Sequence, residues 1–374
     1  MEQVLYSLPD GWKYQKLKTL IKMHYGKALK ATDRIEGEVP VYGSNGVVGS
    51  HNEHLWDQPT VVIGRKGSVG EANLAFTPSW TIDTAYYVEI IDHNVLNLMY
   101  FYYFADRFDV SSISQKGVKP GINRNDYLNL SFPLPPINEQ ERIVEKLDAL
   151  LTRIDTAIEH LQSKLDLSKQ LFDSVLDEFF KLSDCDSVPL TEVVNFIGGS
   201  QPPKSQFSDV QKEGYVRLIQ IRDYKTDNHI VYVDSASTKK FCTKDDVMIG
   251  RYGPPVFQIL RGLDGAYNVA LMKAVPNEDV LTKDYLFWFL QSPSIQNYVI
   301  GISQRAAGQS GVNKKALEKY LIPVPSKTIQ NDIVDKVGQL VNKSRNLEAE
   351  VTAEITSLNQ LKASILDSAF KGEL

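Results

Sequence analysis

A chain of 374 residues exceeds what one ordinary hydrophobic core organises, so two or more domains are expected. With 43% hydrophobic and 23% charged residues the composition is that of a globular protein, and no apolar run is long enough to span a bilayer. Cys185 and Cys242, the two cysteines, make neither a metal-ligand spacing nor a disulfide framework, and a net charge of −5 excludes a uniformly basic surface.

The chain opens MEQVLYSLPDGWKYQKL, without a basic stretch leading into an apolar core. A secretory signal is therefore not expected, and a cytoplasmic protein is the reading. Residues 1–135 are rich in Gly, Pro, aromatic and β-branched residues, and TVVIGRKGSVGEANLAF, from Thr60, reads as strand, turn and strand. An apolar-aromatic helix, YFYYFADRF, follows, and then a polar loop, SISQKGVKPGINRNDY. Residues 182–327 repeat this plan with DDVMIGRYGPPVFQIL, DYLFWFLQSP and GISQRAAGQSGVNKKAL. Ile63–Gly67 and Ile249–Gly253 share Ile-Gly-Arg-x-Gly.

After each of these stretches comes a long helical pattern, at 136–181 and 328–374. The two align at an offset of 190 residues without a gap: Gly121 with Gly311, Asn123 with Asn313, Pro133 and Pro135 with Pro323 and Pro325, Gln140 with Gln330, Ile143 with Ile333. QLFDSVLDEFFK and QLKASILDSAFK match near the far ends. Apolar residues three and four apart over many turns predict a coiled-coil seam. Asn138 with Glu141, and Thr328 with Asn331, read as N-cap and N3 positions, and Gly372 as a C-terminal stop. The acidity lies on these helices: 138–181 holds ten acids against six bases and 328–374 seven against five, which leaves the rest near neutral. The order is globule, helix, globule, helix, and two halves on one plan imply a pseudo-two-fold molecule.

Signatures of catalysis are missing. There is no phosphate loop, no Gly-x-Gly-x-x-Gly, no Asn/Asp-Pro-Pro-Tyr/Phe of an amino-methyltransferase, and only a poor nuclease signature in Asp223-Tyr224-Lys225. His51-Asn-Glu-His54 lacks a third ligand and reads as a polar turn. No catalytic residue, metal or cofactor is assigned.

The repeated helix with its Pro-x-Pro lead-in and early Gln, the ending SILDSAFKGEL, and the domain openings LPDGWKYQKL and VPLTEVVNFIGGSQPPKS together resemble the specificity subunit of type I restriction-modification systems. The likeness covers essentially the whole chain. It implies an α+β fold: target-recognition domains of mixed α/β type at 1–135 and 182–327, separated by two long antiparallel coiled-coil helices at 136–181 and 328–374. It implies a DNA-binding, non-catalytic subunit that reads two short half-sites of double-stranded DNA separated by an unread spacer. Its partners would be two modification (methyltransferase) subunits and ATP-dependent restriction subunits, with no membrane involved. A self-contained DNA-modifying enzyme and a protein–protein scaffold are the rival readings.

Donor-rich loops beside glycine are the candidate DNA contacts, because Arg and Lys can pair with guanine or hold phosphate while Gly admits close backbone approach. These are Ser44 and Asn45; Arg65, Lys66 and Ser68; Arg251 and Tyr252; and Gln220, Arg222 and Lys225, which alternation would place on one strand face. Lys116, Lys119, Gln304, Arg305 and Gln309 stand on the loops before the long helices. Gln140, Ile143, Gln330 and Ile333 are the candidate partner contacts, with a helix-start role as the alternative for the two glutamines.

Overall fold

TVVIG at Thr60–Gly64 is apolar and β-branched along its whole length, which suits a strand covered on both faces. In the computed structural model all five of its residues are buried inside a four-stranded antiparallel sheet. The structure describes residues 6–110, 113–115, 121–181, 185–253, 255–303 and 311–374. The fold is α+β, and the chain divides into two compact units, Met1–Leu161 with Thr352–Leu374, and Gln162–Val351. Both cuts lie 190 residues apart, which is the offset of the sequence repeat.

In the first unit the sheet runs, in spatial order, Ile21–Tyr25, Ala85–Ile90, Thr60–Gly64, Ala72–Ala75. A smaller sheet joins Gly46–His51, Val39–Gly43 and Trp80–Thr81, the last pair parallel. Helix Leu98–Arg107 is capped by Asn97, whose side chain accepts from the N–H groups of Met99 and Tyr100. Ser131–Leu134 then pairs with Lys13–Lys16 and leads into the first long helix, Ile137–Phe179.

The second unit repeats this order as Val194–Gly198, Leu271–Pro276, Val247–Gly250, Gln258–Leu260. Its smaller sheet has four strands, because Phe241–Cys242 is added beside Gly265–Tyr267, Tyr215–Ile219 and Tyr232–Asp234. Helix Lys283–Phe289 is capped by Thr282, and Leu321–Pro323 pairs with Ser187–Pro189 before the second long helix, Lys327–Lys371.

Within each unit the portions of the two long helices it contains run antiparallel. In the first, Arg142 donates to the Leu374 carbonyl at 2.7 Å, and Asp155 accepts from the Lys362 ammonium at 2.8 Å. Ile143, Leu147 and Leu151 of one helix and Leu366, Ala369 and Phe370 of the other join a single core. In the second, Leu176 and Phe180 share a core with Ile333 and Val337. The second helix ends as its glycine predicts: Gly372 has φ +75°, its N–H reaches the Ala369 carbonyl, and Glu373 N–H reaches that of Ser368.

Both helices start two residues earlier than the capping pattern predicts. The carbonyls of Pro136 and Ser326 accept the first helical bonds, so Asn138 and Thr328 lie inside the first turn. That shift decides what the two glutamines do. Gln140 is fully buried; its amide oxygen accepts from Asn97 N–H at 2.8 Å, and its nitrogen donates to the carbonyls of Val95 at 2.8 Å and Pro135 at 3.0 Å. Gln330 repeats this set with Thr282 N–H, Val280 and Pro325. Each glutamine satisfies one buried carbonyl and two part-buried backbone groups of the loop before the capped helix. Ile143 and Ile333 are buried as well. None of the four can face a partner chain, and the assignment of partner contacts to them is corrected: they lock each globule to its helix.

Candidate nucleic-acid interface

The matched Ile-Gly-Arg turns sit where a central strand leaves its sheet. In the first unit a Cβ at Gly64 would stand 1.9 Å from the Ser68 carbonyl oxygen and 2.8 Å from that of Ser44, so only glycine lets these backbones meet. Gly67, at φ +83°, completes the turn. The N–H groups of Arg65 and Lys66 both donate to the Thr84 carbonyl, and the Arg65 carbonyl accepts from Ile122 N–H. Lys66 also bridges to Gly121. Backbone thus fixes the turn from both sides, with Ser44, Arg65, Lys66 and Ser68 gathered at one sheet end and Asn45 exposed next to Ser44.

The Arg65 side chain is pre-positioned. Nη1 donates to the Asp83 carbonyl at 3.1 Å, and the guanidinium lies 5.0 Å from the Tyr25 ring and 5.9 Å from the Tyr86 ring. Burial holds the Tyr86 phenol above its ordinary range, with Arg65 pulling the other way. A second guanidinium, that of Arg124, sits 5.1 Å from the Tyr25 ring and donates to the Met23 carbonyl. Tyr25 is 51% exposed between these two cations.

The second unit repeats most of these backbone bonds. Arg251 N–H donates to the Ala270 carbonyl, its own carbonyl accepts from Val312 N–H, and Tyr252 bridges to Gly311. Arg251 Nη1 donates to the Val269 carbonyl at 3.3 Å. Asp83 and Val269 both stand 18 residues after their arginine. Lys314 Nζ donates to the Phe196 carbonyl at 2.9 Å, as Arg124 does to that of Met23. Decoration differs. Gly199 matches Gly26, each with a neighbouring carbonyl where a Cβ would go, so Gly198 stands where the first unit has Tyr25. Arg251 instead lies 5.2 Å from the ring of Tyr252, which takes the place of Lys66 and covers Gly311.

Gln220, Arg222 and Lys225 do not alternate along a strand. The strand stops at Ile219, and Ile221–Tyr224 is a 3-10 turn closed by a reciprocal Gln220–Asp223 capping box. Alternation fails because Asp223, whose carboxylate accepts from Gln220 N–H at 2.9 Å, draws the backbone into the turn. Arg222 and Lys225 are exposed on it, and Ile221 packs against Gly250, so the turn abuts the strand end that carries Arg251. Lys116, Lys119, Gln304, Arg305 and Gln309 lie outside the described residues.

Arg124, Lys314 and Tyr25 were missed as candidates. A signal existed for the first two: each directly follows an asparagine of the repeat, Asn123 or Asn313, and both are basic. Tyr25 offered none, because its role depends on the approach of two distant loops. Of Arg65, Lys66, Arg124, Arg251 and Lys314, only Lys314 pairs with a carboxylate among the described residues, with Glu318 at 3.5 Å. Among those residues no three metal-ligating side chains come together and no helix is long and apolar enough to cross a membrane.

A family model described as the type I restriction modification DNA specificity domain matches residues 9–166 and again 183–357. The EcoBI specificity subunit of Escherichia coli, a type I restriction enzyme component, is 24% identical over 433 aligned residues, spanning 99% of this chain and 88% of its own. The fold is shared with a chain solved in a study of complex assembly and conformational transition of the type I R-M system (TM-score 0.76, 19% identity, 99% of this chain and 100% of that one). The HsdS subunit from Thermoanaerobacter tengcongensis is also similar, with a TM-score of 0.55, 21% identity and 99% coverage of both chains.

Proposed function

The chain belongs to the type I restriction-modification DNA specificity family, and from that premise we propose that each unit reads one half-site of a bipartite target with unread DNA between. The observation that carries this is the doubled site: two sheet ends of the same topology, each presenting an arginine held by the same backbone bonds, with different neighbours. A single reader needs no second copy, and a reader of one repeated half-site needs no change of decoration. The globules at 1–135 and 182–327 act as the recognition domains, and the helices at 136–181 and 328–374 carry the modification and restriction subunits. Gln140, Ile143, Gln330 and Ile333 serve that assembly from inside, by holding each globule on its helix.

The chain supplies recognition and its partners supply chemistry in the cytoplasm, where chromosomal DNA is reached. Rigorously purified protein with S-adenosylmethionine and Mg²⁺ should neither methylate nor cut duplex DNA. Addition of a cognate modification subunit should give adenine methylation at a split site. Methyl transfer by the chain alone would overturn the division of labour. Duplex binding should weaken steeply with salt, as phosphate contacts require, and a salt-insensitive association would favour a protein scaffold instead.

A further inference from the structure

Two readers of different half-sites can share only what does not depend on the base, and the phosphate backbone is the same in both. The shared parts of the two sites are cationic. Arg65 and Arg251 spend one N–H each on a carbonyl of their own unit, and Arg124 and Lys314 donate to carbonyls of matched strands. A guanidinium has five N–H donors, so most of each fork is left for a ligand once its direction has been set. What differs is the surroundings: Tyr25 and Lys66 in one unit, Gly198 and Tyr252 in the other.

We propose that Arg65 with Arg124, and Arg251 with Lys314, are matched cationic clamps on the DNA backbone, and that Tyr25 and Lys66 against Gly198 and Tyr252 tell the half-sites apart. This rests on the DNA-recognition reading and adds a division of labour within each site. The clamps position each duplex segment and carry little sequence information. The exchanged residues beside them stand close enough to bring a ring or an ammonium to the bases next to the held phosphates. Lys314 is shared with Glu318, so the second clamp is the weaker one.

Full-length purified chain is tested on an unrelated duplex across a salt series, and on a pool of random duplexes from which bound sequences are enriched. Arg124→Ala should weaken binding to the unrelated duplex about threefold to tenfold and lower the salt slope by about one, with the enriched bases unchanged. Lys314→Ala should do the same to a smaller extent. Arg124→Lys copies the second unit and should bind nearly as the parent does, which separates loss of charge from loss of fold. Tyr25→Gly combined with Lys66→Tyr should change the enriched bases in one half-site and leave the other intact. If Arg124→Ala shifts base preference while affinity and slope for the unrelated duplex hold, or changes neither property, the clamp is wrong. A parent chain that binds no duplex would instead bring down the DNA-recognition reading itself.

Discussion

The two units solve one folding problem with different chemistry at the same place. At the start of the central strand the first unit has Thr60, whose hydroxyl donates to the Val88 carbonyl at 2.7 Å and accepts from Val88 N–H at 2.9 Å. The corresponding position before Val247 holds Asp246, which accepts from Thr243 N–H, Lys273 Nζ and Lys283 Nζ at 3.0–3.1 Å. A neutral side chain closes its bonds locally, whereas a carboxylate in the same niche requires two ammonium groups beside it. Likewise Gly70, at φ +85°, corresponds to Phe257, at φ +65°, each donating its N–H to the glycine that ends the central strand. The lesson is that topology and the helix junction are kept, while side chains at equivalent sites drift as far as local compensation allows.

The junction should give the largest effect and the same effect in both units. Gln140→Ala or Gln330→Ala leaves a buried carbonyl without its partner and takes the partner from a part-buried N–H and a second part-buried carbonyl, at a cost of roughly 2–4 kcal/mol. Hydrogen exchange should rise around 95–97 for the first variant and around 280–282 for the second. A surface-like effect below about 1 kcal/mol in either unit would break the equivalence of the two junctions.

Phe257 tests the drift. It is fully buried in a backbone conformation that side chains rarely adopt, so Phe257→Gly combines loss of apolar packing with relief of strain, for a net cost of about 2–3 kcal/mol. Gly70→Ala meets strain in the first unit, since the new Cβ would stand 2.4 Å from Val110. Unfolding in urea should report both losses. A stabilised Phe257→Gly would mean the strain outweighs the packing.

Acid separates the sheets more gently. Burial alone would raise the Asp246 pKa, but Thr243 N–H and the two lysines prevail and bring it down to about 2. Because the unfolded carboxylate titrates near 4, this group contributes about 2 kcal/mol above that pH, and the contribution fades as pH falls from about 4 to 2. Amide exchange in Val247–Gly250 should therefore accelerate over that range more than in Thr60–Gly64. Asp246→Asn should abolish the difference; equal acceleration in both strands would contradict it.

Much of the architecture was legible because it is written in periodicity. The 190-residue repeat gave both helices, and their common lead-in through Pro133 and Pro323 marked where they start to within a residue. The roles of Gln140 and Gln330 were not legible, since a buried amide and an exposed one look alike until the loop it serves is placed. Alternation misled at Gln220–Lys225, where Asp223 signals a capped turn more strongly than the spacing signals a strand. Arg65 and Arg251 stood out through their shared glycines, whereas Tyr25 meets Arg65 only through folding.

Enrichment of bound sequences from a random duplex pool by the full-length chain, followed by sequencing, tests the central claim most directly. Two short blocks of fixed bases at a constant separation, with free bases between, are expected. A single contiguous block, or no enrichment over the starting pool, would contradict two readers in one chain.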